Sequence, residues 1–248
     1  PVYAEMGSSN PVFVLPGVLE EQYEQLAKGL SASVQLGVGQ FCTNPGLLVA
    51  IKSEELERFK QLLAHELNSI ASQPMLTIGI ENEFKSGKSM ILGYSSLLTS
   101  QENQAGLATV DAVEFVKTTE LREEVFGPFS LIVECVDHSQ LIDVINSLNG
   151  QLTGSIFTSD LTSEDTKEIF ESLKQRVGRV IFNNAPTGVE VCPSMHHGGP
   201  FPASTDSRFT SVGTGSIQRF VRPVCYQNVP QELLPDELKD ENPLDIYR

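Results

Sequence analysis

The residue best placed to do chemistry is a single cysteine in a glycine-rich break. Gly37-Val38-Gly39-Gln40-Phe41-Cys42-Thr43-Asn44-Pro45-Gly46 sets Cys42 among three glycines, a proline and an asparagine. An irregular backbone is therefore expected around the thiol, between an amphipathic run and an apolar one. A cysteine nucleophile needs its thiolate favoured, N–H donors for a developing oxyanion, and often an acid or base. The Gly39-to-Gly46 backbone can offer such donors. The other reading of Cys42 is a small buried hydrophobe, a common fate of cysteine. Residue types and spacing leave both open.

A base could come from the four histidines. His196 and His197 fall in a long irregular stretch, and either would serve Cys42 in a cysteine hydrolase. No Asn or Asp beside them marks an orienting partner. Cys192 with His196 and His197 has a loose metal-ligand spacing, but no second ligand cluster accompanies it, so no metal site is expected. Cys42, Cys135, Cys192 and Cys225 lie far apart without a CxxC pair, which suits a reduced cytoplasmic compartment. Glu5 and Glu124 read, by residue type alone, as exposed charges, Phe126 as a core aromatic and His65 as a helix residue without a chemical role.

Wider properties bound the answer. The 248 residues carry a formal charge of −15, which argues against a nucleic-acid surface. No run of about 18 apolar residues exists, so no transmembrane helix is expected. The first residues lack the basic and apolar regions of a signal peptide, and Pro1 stands where an initiator methionine would, so a processed or truncated chain is expected.

The elements that must position Cys42 follow from periodicity. Val2 to Pro11 reads as a short apolar run ending in turn formers, which puts Glu5 near the end of a strand, and Pro11 to Leu15 reads as a second short strand. Tyr23, Leu26, Leu30 and Val34 form a helical stripe from Glu20 to about Gly37 that delivers the chain to Cys42. Leu47 to Ile51 is a buried strand. Ser53 opens a helix with Phe59, Leu62, Leu63, Leu67 and Ile70 on its core face, and Glu54, Glu55 and Glu57 in its first turns. Gly87 to Gly106 resists assignment, apart from a short helix near Met90. Val113 to Lys117 alternates like a strand. Strand, helix, strand, helix and strand then follow at 130–136, 138–148, 152–158, 162–176 and 178–183, which predicts βαβ units. The fold class is α/β, a largely parallel sheet with flanking helices. After Asn184 the chain becomes a long irregular stretch of the kind that often carries function, and Ile217 to Tyr226 holds a last short apolar segment.

Three segments in order add a resemblance. Glu5-Met6-Gly7-Ser8-Ser9-Asn10-Pro11 resembles the Glu-Leu-Gly-Gly-Lys-x-Pro segment of the aldehyde dehydrogenase superfamily. Gly39-Gln40-Phe41-Cys42 is similar to its Gly-Gln-x-Cys nucleophile segment, and Glu124-Val125-Phe126-Gly127-Pro128 matches its Glu-x-Phe-Gly-Pro segment. His197 to Asp206 and Arg222 to Gln227 look like the 2-oxoglutarate semialdehyde dehydrogenase branch, with NADP-dependent fatty aldehyde dehydrogenases as near relatives.

The resemblance implies roles. Cys42 would attack an aldehyde carbonyl and pass through a thiohemiacetal and a thioester, with its own N–H as one oxyanion donor. Glu5 would activate the hydrolytic water. Glu124 would hold the nicotinamide ribose of NAD or NADP, and Phe126 would lie near the nicotinamide. It also implies a small aldehyde substrate, carrying an ω-carboxylate, and a homodimer or homotetramer. Residues 1–10 would end a cofactor-binding domain, 11–226 would form the catalytic domain and 227–248 an acidic tail. Arg208, Arg219 and Arg222 are candidates for a cationic pocket, each with a plain surface reading beside it.

Departures go with the likeness. The family's second oxyanion donor, an asparagine, and its Rossmann-like cofactor fold lie upstream of the glutamate segment and are not among these residues. Ser8 and Ser9 replace the usual Gly-Lys, with no disturbance of Glu5 expected. His196-His197-Gly198-Gly199 stands where many relatives carry Pro-Phe-Gly-Gly, so a different substrate pocket is expected there.

Overall fold

The computed structural model describes residues 2–100 and 104–247. By contact density the chain forms two compact units, Pro1–Ser216 and Ile217–Arg248. The first contains seven strands: β1 (Val12–Val14), β2 (Leu47–Ile51), β3 (Ser96–Leu97), β4 (Gly106–Asp111), β5 (Phe129–Cys135), β6 (Gln151–Phe157) and β7 (Val177–Phe182). Their order is β3-β4-β5-β2-β1-β6-β7, and every pairing is parallel except β3 with β4. The helices are α1 (Pro16–Gln35), α2 (Glu54–Asn68), α3 (Ile78–Leu92), α4 (Ala112–Lys117), α5 (His138–Ser147) and α6 (Glu164–Leu173). The mostly parallel sheet with flanking helices is the α/β class read from the sequence.

Both faces of the sheet are covered, as a parallel sheet requires. Successive residues of β1 point to opposite sides: Val12 and Val14 pack with α1 and α2, whereas Phe13 packs with the α3 to α6 side. Side-chain caps start four of these helices, α3 among them with Thr77 accepting from Ile80 N–H at 3.1 Å. Ser53 accepts from Leu56 N–H, Asp137 from Gln140 N–H and Ser163 from Thr166 N–H, each contributing about 1 kcal/mol.

Three expectations need correction. Glu5 does not end a strand, because its backbone makes only an isolated bridge to Ser204 and the first strand starts at Val12. Residues 113–117 are not a strand but belong to α4, because Ala112 and Phe115 are buried at helical spacing while Val113 and Val116 are exposed. Its apparent alternation came from Val113 lying on the solvent side, and the true neighbouring strand, β4, ends at Asp111. Ile70 lies beyond the end of α2 and is exposed rather than on its core face. Within the unassigned stretch, α3 runs on to Leu92 and β3 follows; residues 101–103 lie outside the described residues.

In the second unit, short 3-10 turns at Gln231–Leu233 and Asp236–Leu238 carry mostly exposed side chains, and Lys239 pairs with Asp236 at 2.6 Å. Among the described residues, no helix is long and apolar enough to cross a membrane.

Candidate active site

The Cys42 segment is irregular for a reason visible in its backbone. Gly37, Val38 and Gly39 follow α1 with φ of 58°, 59° and 66°. Three consecutive left-handed residues reverse the chain, and for the β-branched Val38 that conformation costs about 1–3 kcal/mol. Gly39 has a second constraint, because a Cβ there would collide with the Gly127 and Pro128 backbone. Asn44 Nδ2 donates to Gly127 O at 3.1 Å. The segment carrying the cysteine and the segment carrying Glu124 and Phe126 are thus locked together.

A buried amide fastens the loop from the other side. Asn10 is fully buried, and its Nδ2 lies 2.9 Å from Cys42 O, 3.0 Å from Asn44 O and 3.1 Å from Ser8 O. Its Oδ1 accepts from Thr153 at 2.9 Å. Gln151 Oε1 accepts from Ser9 N–H at 2.7 Å, and Leu152 N–H donates to Ser8 Oγ at 3.0 Å. The two serines that replace Gly-Lys therefore tie the Glu5 segment to β6. They hold the backbone that follows Glu5.

Glu5 comes from the other partner of this seam. It bridges Ser204 in antiparallel fashion, Met6 N–H donates to Ala203 O at 3.0 Å, and Thr205 N–H donates to Ala4 O at 2.9 Å. The same 196–211 stretch supplies His197, which is buried. His197 Nε2 lies 3.1 Å from Cys42 Sγ, and His197 Nδ1 lies 3.0 Å from Glu5 Oε1. Since a carboxylate only accepts, Nδ1 is the protonated nitrogen and Nε2 faces the sulfur as an acceptor. The Ser211 hydroxyl also donates to Glu5 Oε1. The hydrogen bond with Cys42, then the charges of Cys42 and Glu5, raise the His197 pKa above the ordinary imidazole value against the opposing effect of burial.

Of the site residues read from the sequence, Cys42 and Glu5 are thus joined through His197, and Cys42 is exposed rather than packed away. Glu124 approaches from the other side. Its Oε2 would lie 2.9 Å from a Cβ at Gly7, whose φ of +145° already excludes most side chains. Burial pushes the Glu124 carboxyl up to about 7, although the Ser8 N–H donates to it. Glu124, Phe126 and Asn44 line one small cavity, and Asn44 Oδ1 there is buried without a partner.

Two acceptors on that cavity call for hydroxyl or amide donors, and the half-buried Phe126 ring offers a flat apolar wall. A nicotinamide riboside has both features, but at about 20 Å³ the cavity has room for little more than a water molecule, so a riboside would reach these groups only if the cavity opened. No cluster of metal-ligating side chains occurs among the described residues.

Sequence reasoning missed His197 as a partner of Glu5, since the two are 192 positions apart. It missed Asn10, Thr210 and Ser211 entirely, and nothing in their local sequence marks them. Arg208, a pocket candidate, is exposed and chelates Asp206 at 2.9 and 2.6 Å. Arg179 was not considered. It is partly buried, donates to Pro186 O at 3.0 Å, and interacts electrostatically with Cys42.

A thiol and two carboxylates thus come from segments that precede β2, β1 and β5 of a mostly parallel α/β sheet. Comparison with known proteins narrows this: the aldehyde dehydrogenase family model matches residues 1–208, and the chain belongs to that family. It is 43% identical to the alpha-ketoglutaric semialdehyde dehydrogenase of Acinetobacter baylyi and 41% identical to alpha-ketoglutaric semialdehyde dehydrogenase 2 of Azospirillum brasilense. Each alignment covers 100% of this chain and 49% of the relative. The chain thus spans about half the length of these curated relatives.

Solved structures share the fold. Proline utilization A of Bdellovibrio bacteriovorus superposes with a TM-score of 0.73 at 19% identity, over 90% of this chain and 24% of that one. The 1-pyrroline-5-carboxylate dehydrogenase of Thermus, with bound NAD, superposes with a TM-score of 0.69 at 18% identity, over 85% and 42%.

Proposed function

We propose that the protein of which this chain is part oxidises an aldehyde to the acid, using Cys42 as the nucleophile. The observation that carries the reading is the convergence of Cys42, Glu5 and Glu124 from three distant segments locked together by Asn10, Asn44 and Gly39. The thiolate of Cys42 adds to the carbonyl carbon, and the Cys42 N–H would donate to the developing oxyanion. A bound nicotinamide, NAD or NADP, supplies the hydride acceptor. The acyl group is then left on Cys42 as a thioester, and Glu5, whose side chain is partly open to solvent, takes a proton from the attacking water. Glu124 and Asn44 would accept hydrogen bonds from the cofactor, and Phe126 would pack near its nicotinamide.

The substrate is an ω-carboxylated semialdehyde such as 2-oxoglutarate semialdehyde, supported by the names of the two curated relatives. The intact enzyme acts in the cytoplasm as a homodimer or homotetramer. Residues 11–226 supply its catalytic portion, 227–248 its acidic tail, and residues 1–10 join it to the cofactor-binding part. The test is dinucleotide reduction by the intact enzyme with this semialdehyde and NAD or NADP. Cys42→Ala should bind the dinucleotide and fail to reduce it; undiminished turnover in that variant sinks the nucleophile assignment.

The contact between Cys42 and His197 supports a second reading, a cysteine hydrolase in which Glu5 orients the imidazole. Ester hydrolysis that needs no dinucleotide, and is lost in His197→Ala, would favour it over oxidation.

A further inference from the structure

The polar contacts around Cys42 go beyond a thiol beside a general base. His197 is held on four sides. Its Nε2 faces Cys42 Sγ and its Nδ1 faces Glu5, as described. Its own N–H donates to Thr210 Oγ1 at 2.7 Å, and Ser211 N–H donates to its carbonyl at 2.9 Å. Thr210 is buried, and its hydroxyl hydrogen goes to Val212 O at 2.7 Å, which leaves the oxygen free to accept from His197. Ser211 Oγ donates to Glu5 Oε1 and lies 3.3 Å from His197 Nδ1. Residues 210 and 211 lie just beyond the 208 residues matched by the family model.

We infer that His197 is a catalytic residue that takes the Cys42 proton, and that Ser211 is a positioning residue that keeps Glu5 on the imidazole during that step. The inference rests on the reading of Cys42 as the nucleophile. The S–H bond breaks and an Nε2–H bond forms, giving a thiolate and an imidazolium with no change in net charge. Glu5, already accepting from Nδ1–H, stabilises the imidazolium. The Ser211 hydroxyl fixes Oε1, so that Glu5 cannot swing away while the thiol is being activated. The same carboxylate is then available for the later water step only after it leaves this arrangement, so Ser211 also sets how readily Glu5 changes task.

The charged groups facing His197 are few. Cys42 and Glu5 touch it, and Arg179 of β7 acts electrostatically on Cys42 from another side. His196 sits next to it in the chain, near Gly198, and Arg208 is tied to Asp206. An imidazolium is therefore balanced chiefly by the Cys42 thiolate and the Glu5 carboxylate.

The test follows alkylation of the Cys42 peptide by iodoacetamide across pH, using mass spectrometry on the intact enzyme without aldehyde or dinucleotide. In the wild type, Cys42 should react at pH values where a free thiol, with its ordinary value of about 8.5, is already protonated. His197→Gln should lose that acid-range reactivity, by about tenfold or more at the lower pH values. Ser211→Ala should lose part of it, and Ser211→Thr, which keeps the hydroxyl, should restore it. An unchanged profile in His197→Gln overturns the inference. Where His197→Gln does not fold, as judged by circular dichroism, an unchanged profile in Ser211→Ala overturns it instead. Because no aldehyde is present, altered alkylation in an enzyme that oxidises no aldehyde leaves the relay standing and removes the proposed function alone.

Discussion

Two polar networks meet at Cys42, one buried and one partly open to solvent, and they differ in kind. One, made of Ser8, Ser9, Asn10, Gln151 and Thr153, contains only hydroxyls and amides, so it cannot change charge near neutral pH. The other, made of Glu5, His197, Ser211 and Cys42, contains three groups that can lose or gain a proton. The first holds main chain in place, and the second joins side chains that can exchange protons. A rigid neutral frame lets a titratable series stay aligned without spending its own hydrogen bonds on the backbone.

The sharpest break in this contrast is Cys42→Ala, which should remove aldehyde oxidation down to background while dinucleotide binding, read by fluorescence titration, persists. Next comes the neutral network. Asn10→Ala leaves the buried carbonyls of Cys42 and Asn44 without their donor, and should cost about 3 kcal/mol in denaturant unfolding. Activity should fall with it, because the Cys42 loop is released. If stability drops while turnover is retained, the frame does not position the thiol.

Gly39→Ala attacks the seam between the two segments. The side chain meets both a φ of +66° and the Gly127–Pro128 backbone, and should cost about 2–4 kcal/mol. A variant as stable as the wild type would show that this close approach is dispensable.

Glu124→Gln should act in opposite directions on stability and on binding. Burial raises the folded-state pKa from 4.5 to about 7, so the folded chain binds the proton more firmly than the unfolded chain does. The resulting penalty is absent below about 4.5, grows as pH rises, and is complete above about 7. Glu124→Gln removes it and should raise stability above pH 7 by about 1–3 kcal/mol. It should also weaken dinucleotide binding by about tenfold and abolish the tightening of that binding as pH rises through 7. The smallest effect is expected from Arg208→Ala. Its ion pair with Asp206 is exposed and screened by water, so unfolding should be unchanged within error. A large rise in KM for a carboxylated aldehyde would move Arg208 from the surface into the substrate pocket.

How much was legible beforehand differs between frame and site. The helix starts at Ser53, Asp137 and Ser163 obey local rules, because a capping side chain bonds within its own first turn. The βαβ series after Ser130 was readable because each strand is a short apolar run between capped helices. The α4 segment was misread because five residues fit a period of two nearly as well as a period of 3.6. Within the site, the Cys42 and Glu124 segments stood out through their glycines, which mark where backbones must approach. His197 was visible only as one of two adjacent histidines, and nothing local says which of them turns inward.

The sequence by itself determined the α/β layering, the irregular loop that exposes Cys42, and three segments whose likeness points to one family. Those features depend on neighbours within a few residues, where periodicity, caps and glycine conformations act. Only the tertiary structure decided which groups share a proton. Glu5 and His197 meet across 192 positions, and Ser211 reaches Glu5 from the far side of the same irregular stretch. Such meetings depend on how the 196–211 stretch pairs with residues 4–6 and on a buried asparagine holding the cysteine loop against them. No short-range pattern encodes that distance, so the candidate cysteine could be singled out in the sequence but the histidine it meets could not.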